Sequence, residues 1–235
     1  MKKLFTLLAI GLLVFTFENL SAQSQRLVLA EEFTQASCGP CASQNPAFNT
    51  LLQANTDKIV SIKYQTSWPG ADPMNADNPT EVQNRVDLYA VDGVPTGIID
   101  GTYIPICSGA YEGSPSCLTQ SGIDASYAIP AAFDIAVDAS VANGILNVTT
   151  DVNCTQDVSG NFKLYVVLIE KVIDWGTAPG SNGEVIFYNV MKKFLPGVTG
   201  IDIPGTWTNG ESNSYSNLLN TNEVNIYDMS QLAVV

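Results

Sequence analysis

Cys38-Gly39-Pro40-Cys41 is the stretch whose residue types and spacing could do chemistry. Two thiols at this spacing can attack a disulfide and then resolve the mixed disulfide that forms. A helix is expected to open at this point. Its unsatisfied backbone N–H groups and positive dipole end stabilise a thiolate on the first sulfur. Cys38 is therefore the expected nucleophile and Cys41, one turn further in, the resolving thiol. Pro40 falls early enough in the helix to be tolerated. The 235 residues hold five cysteines and no histidine, which excludes Ser-His-Asp and Cys-His nucleophiles and His-containing zinc sites. Proton transfer is left to carboxylates, thiols, lysines or tyrosines. Zinc at the dithiol would need two more ligands, and Cys107 and Cys117 make a poor second knuckle; neither a metal nor a cofactor is expected. The competing reading is a permanently oxidised, structural Cys38–Cys41 pair.

The elements around the dithiol follow from periodicity. Arg26–Phe33 reads as a buried strand and Ala42–Asn55 as a helix with Ala47, Phe48, Leu51 and Leu52 at helical spacing. Lys58–Gln65 is a second strand, Ser67–Asn78 a loop, and Pro79–Val91 a second helix. Asp100-Gly101 marks a hairpin, and a further helix over Leu118–Ala128 ends before Pro130. After Ala131 the period becomes two: Phe133, Ile135 and Val137, then Leu146, Val148 and Val152, then Phe162, Leu164, Val166 and Leu168. Asn143-Gly144 and Ser159-Gly160 supply the turns, and Glu184–Val190 and Glu223–Val235 are further strand candidates. The expected organisation is an α/β domain over 23–130 and an all-β immunoglobulin-like sandwich module over 131–235.

Residues 1–22 read as a signal peptide: Lys2 and Lys3, an apolar run from Leu4 to Phe17, then the small residues Ser21 and Ala22. The protein is accordingly expected to be exported, where disulfides persist. Hydrophobic residues at 46% and charged ones at 14% fit a packed globule. A net charge of −13 repels phosphate backbones, so nucleic acid is not expected as a partner.

Glu32-Phe33, four residues, and then Cys-Gly-Pro-Cys resembles the strand-to-helix entry of the thioredoxin superfamily. Gly93-Val94-Pro95-Thr96 is similar to that superfamily's second signature, an apolar residue followed by a cis-proline facing the dithiol. The resemblance implies that Pro95 positions the substrate backbone. It also implies that Glu32 is the buried acid that relays the proton of Cys41. Alternation alone does not decide which of Glu31 and Glu32 points inward. Val94, Thr96, Gly39, Pro40 and Trp68 are the expected substrate-binding residues. The stretch Trp68–Asn78 reads either as a connecting loop, the commoner case, or as a substrate rim with Trp68 and Met74 giving an apolar surface. More narrowly, Asp72-Pro73-Met74, Asn78-Pro79, the strand 164–170 and Leu195-Pro196-Gly197 resemble thioredoxin-like outer-membrane-associated proteins of Gram-negative bacteria. That resemblance implies a periplasmic or peripherally outer-membrane-associated location. Ser37 stands where thioredoxins commonly have tryptophan, so the rim of the site differs.

Cys107 and Cys117 bracket a Gly-, Ser- and Pro-rich stretch, and a disulfide closing that loop is the favoured pairing, with Cys154 left over. Sequence alone does not fix the connectivity. The function expected is thiol–disulfide oxidoreduction on disulfide-containing protein substrates, recharged by an unidentified redox partner. No histidine separates the two cysteines, which leans the pair toward the reducing end. The alternative is a non-enzymatic surface or scaffold protein in which Cys38–Cys41 is a staple.

Overall fold

The computed structural model describes residues 24–235, so the expected signal peptide lies outside the described residues. A short β1 (Ser24–Gln25) leads into β2 (Val28–Thr34), the strand that ends at the dithiol. There follow α1 (Gly39–Gln53), β3 (Ile59–Gln65), α2 (Pro73–Asp77), α3 (Pro79–Tyr89), β4 (Thr96–Ile99), β5 (Thr102–Tyr103) and α4 (Gln120–Tyr127). Pro73 and Pro79 sit in first helical turns, where no N–H is missed. Asp72 and Asn78 cap those helices. The single-turn α2 falls inside the stretch expected to be loop.

The second half is built from strands: β6 (Pro130–Ala131), β7 (Phe133–Ala142), β8 (Ile145–Cys154), β9 (Val158–Ser159), β10 (Phe162–Leu164) and β11 (Val166–Asp174). It continues with β12 (Ile186–Leu195), β13 (Ile201–Ile203), β14 (Thr206–Trp207), β15 (Ser212–Asn220) and β16 (Leu232–Val234). Asn143 and Gly144 both take positive φ, the backbone a two-residue hairpin turn between β7 and β8 needs. Glu223–Val235, expected as a strand, is mostly turns, and only its last residues pair.

Seven strands form one mixed sheet in the order β16-β11-β12-β3-β2-β4-β5. β2 runs parallel to β3 and antiparallel to β4, and β12 joins β3 in parallel with Val190 opposite Lys63. The sheet therefore continues across the boundary expected at residue 130. Residues 131–235 do not make a free-standing sandwich. The three-stranded sheet β15-β8-β7 packs instead on the far end of the central sheet. Leu146, Val148 and Val152 meet Val166, Leu168 and Leu195 there, around a buried Trp207 whose Nε1–H donates to the Pro204 carbonyl at 2.7 Å. The physical reason is burial: β11, covered on both sides, reads Val-Val-Leu-Ile-Glu with almost no polar interruption.

β2 likewise has a layer on each face. Val28 and Ala30 face α1 with Phe48 and Leu52, while Phe33 faces α3 with Val82 and Val86. Both glutamates at its centre are consequently buried, one in each layer.

Candidate functional site: a dithiol at the start of α1

Cys38 is the last extended residue before α1, with φ −92° and ψ 110°. Its sulfur occupies the position of a capping side chain and accepts the Cys41 N–H at 3.0 Å. One of the orphan donors at the helix start thus points at the first sulfur, the arrangement that favours a thiolate there. Cys41 lies on the buried face of α1 with Asn45, Phe48 and Leu52, at helical spacing. Cys38 and Cys41 are joined by a disulfide. Cys38 is 1% exposed and Cys41 fully buried.

Val94 lies beside the dithiol, 56 residues from Cys38 in sequence, and Pro95 follows it. The Val94–Pro95 peptide is cis. The Val94 carbonyl oxygen is 3.5 Å from Cys38 Sγ. A disulfide sulfur carries no proton, so this is packing in the oxidised form; a reduced thiol would find an acceptor there. Thr96 is buried at the start of β4, its hydroxyl donating to the Gly93 carbonyl at 2.9 Å. Gly39 and Pro40 are exposed on the outer turn of the helix. Trp68 is half-buried against the core cluster of Phe33 and Tyr64. Met74 is fully buried beside Ala36, Ile173 and Phe187, so it offers no apolar rim.

Glu32 lies in the layer of β2 that α1 covers, wholly buried, and forms an ion pair with Lys63 on the neighbouring strand. Burial pushes its carboxyl above the usual carboxylate value, with the Lys63 charge opposing the rise and Glu184 adding to it. Its Oε1 has no hydrogen-bond partner among the described residues. Glu31, on the opposite layer, is not a surface or strand-edge group. It is paired with Arg85 and accepts the hydroxyls of Tyr64, at 2.8 Å, and Tyr89.

Cys107 and Cys117 form the second disulfide, and Cys154 is a buried free thiol donating to the Gln156 carbonyl at 2.8 Å. The closed loop is fastened to the site: the Tyr111 hydroxyl donates to the Pro95 carbonyl, and Gln44 of α1 accepts from Ser114 Oγ at 2.8 Å and the Ser116 N–H at 3.1 Å.

Sequence reasoning missed the groups that hold the chain leading into Cys38. On one side Asp72 accepts the Ala36 N–H at 2.7 Å, and Ser37 Oγ donates to the Ala71 carbonyl at 2.8 Å. On the other, Asn182 from the β11–β12 turn donates its side-chain amide to the carbonyls of Gln35 at 3.1 Å and Cys38 at 3.2 Å. No local signal marks Asn182, which is 144 residues from Cys38. Lys63 did carry one: a lone cation inside an otherwise buried strand.

No cluster of metal-ligating side chains exists among the described residues. No helix among them is long and apolar enough to cross a membrane.

No family model matches the chain, and no curated protein matches it. Among solved structures, HBP35 of Porphyromonas gingivalis aligns over 90% of this chain and 68% of its own, with a TM-score of 0.69. The two share a fold. Identity is 12%, so the likeness extends to the fold alone. It is compatible with a thioredoxin-like domain carrying a β module.

Proposed function

We propose that the protein is an exported thiol–disulfide oxidoreductase, working in the periplasm or at the outer membrane on disulfide-containing protein substrates. The carrying observation is the Cys38 sulfur at the head of α1, bonded to Cys41, receiving a helix N–H and facing the Val94–Pro95 peptide. In the reducing direction the Cys38 thiolate attacks a substrate disulfide and one substrate sulfur leaves as thiolate. Cys41 then loses its proton to Glu32 and attacks Cys38, releasing the second substrate thiol and restoring the Cys38–Cys41 bond. The cycle closes when a redox partner returns two electrons. Fold and disulfides support this reading; the β half joins the central sheet through β11, β12 and β16, with the three-stranded sheet β15-β8-β7 packed on it.

A second reading draws on the burial of Cys38: a sulfur 1% exposed also suits a staple in a binding or scaffold protein. Insulin reduction measured on wild type and Cys38→Ser tests the first reading, which fails if the two are equally active. A redox titration separates the two readings. A staple should titrate below about −300 mV and a working dithiol above it.

A further inference from the structure

We propose that Asn182 and Glu184, on the turn between β11 and β12, form a clasp that shields Cys38 and decides which disulfides can reach it. This inference rests on the dithiol reading above and deepens it. The turn comes from the far half of the chain, yet it is tied to the four residues that end at the nucleophile. The Asn182 N–H donates to the Ala36 carbonyl at 3.1 Å, and the Ser181 N–H to Ser37 Oγ at 3.1 Å. The Asn182 side-chain amide reaches the carbonyls of Gln35 and Cys38 and donates to Glu184 at 2.6 Å.

Glu184 fixes the other end of the turn. Its second oxygen accepts from Asn45 at 2.8 Å, and Asn45 is buried on the same face of α1 as Cys41. Asn182 Oδ1 in turn accepts the Glu184 N–H at 2.9 Å, so the two residues hold each other. Between them and β11, Gly180 lies so close to Ala36 that a side-chain carbon there would sit 2.2 Å from its carbonyl oxygen. Only glycine fits without a shift, because the neighbour is backbone rather than a flexible side chain. Gly176 and Gly183 take positive φ on either side, giving the turn its two bends.

The consequence is selectivity by size. With the clasp closed, the turn covers the backbone that leads into Cys38, which is 1% exposed, and a folded partner cannot bring its disulfide to the sulfur until the turn moves. A small disulfide, or an extended segment, meets less obstruction than a folded partner. A bulky partner must first displace Asn182 and its neighbours, at the cost of their hydrogen bonds.

The test reads access to the thiol. Reduced wild-type protein is treated with iodoacetamide and, separately, with a maleimide bearing a long polyethylene glycol chain. Tandem mass spectrometry of the peptides separates Cys38 from Cys41, Cys107, Cys117 and Cys154. The bulky reagent should modify Cys38 far more slowly in the native protein than in urea, with a smaller deficit for iodoacetamide. Gly180→Ala, which wedges the turn away, and Asn182→Asp, which keeps the size but has no amide to donate, should each raise the bulky rate about tenfold. Equal rates in wild type and both variants, with melting temperatures retained, would overturn the clasp. So would a native wild type as open to the bulky reagent as the unfolded chain, an outcome that needs no variant to fold. A shielded Cys38 in a protein that never reduces insulin would leave the clasp standing and sink only the activity.

Discussion

Glu32 and Lys63 stand opposite each other on the parallel strands β2 and β3, carboxylate against ammonium, with both side chains sealed from water. Such a pair gains little over an apolar pair of the same volume, but either member left alone is costly. Its value lies in holding a titratable group in the layer that α1 covers.

The pair makes stability pH-dependent. Burial raises the folded Glu32 carboxyl above its ordinary value of 4.5. Between that value and the raised one the folded state binds more protons than the unfolded chain. This contribution is complete below the unfolded value and is lost as pH rises through the folded one. Urea midpoints of wild type should carry this decline with rising pH above 4.5, and Glu32→Gln should remove it. Identical pH slopes in the two proteins would show that Glu32 does not titrate in this way.

If Glu32 accepts the Cys41 proton, Glu32→Gln should slow resolution of a Cys38 mixed disulfide by about a hundredfold. The rate of the first attack by Cys38 should barely change. Stopped-flow measurement of the two phases with a chromogenic disulfide distinguishes them. Equal slowing of both phases would point to a general loss of structure.

Arg85→Met should destabilise the protein by about 3–5 kcal/mol, because it leaves the Glu31 carboxylate buried without its cation. The double variant with Glu31→Gln should recover part of that loss. Denaturant melts of the two singles and the double form a cycle that reads the coupling directly.

Replacing Cys107 and Cys117 together by serine opens a loop of sequence separation 10, at a cost of about 2–3 kcal/mol. The same loop carries Tyr111 to the Pro95 carbonyl. Tyr111→Phe should therefore leave stability nearly unchanged while altering the KM for a peptide disulfide. A KM identical to wild type would remove Tyr111 from the site.

Much of the α/β half was legible in the sequence. Its helices and strands carry local signals: apolar spacing, prolines in first turns and a capping residue such as Asn78, though the single-turn α2 behind Asp72 was too short to show a period. The expected strand Lys58–Gln65 and the observed Ile59–Gln65 differ by one residue. The dithiol could be read because strand end, helix start and both cysteines are contiguous. Val94 and Pro95 could be placed against it only through a family resemblance. The choice between Glu31 and Glu32 was not legible, since a strand covered on both faces buries both.

The sequence by itself determined which residues could do chemistry, that histidine does none of it, and where the helix that carries Cys38 begins. These are properties of composition and of a few consecutive residues. Tertiary structure alone decided that β11, β12 and β16 extend the central sheet, and that the turn following β11 reaches back to the residues before Cys38. Strand edges pair by backbone hydrogen bonds that any residue supplies, so neither choice of partner leaves a local mark in the sequence. Only the closing of contacts over more than a hundred residues places Asn182 against Cys38.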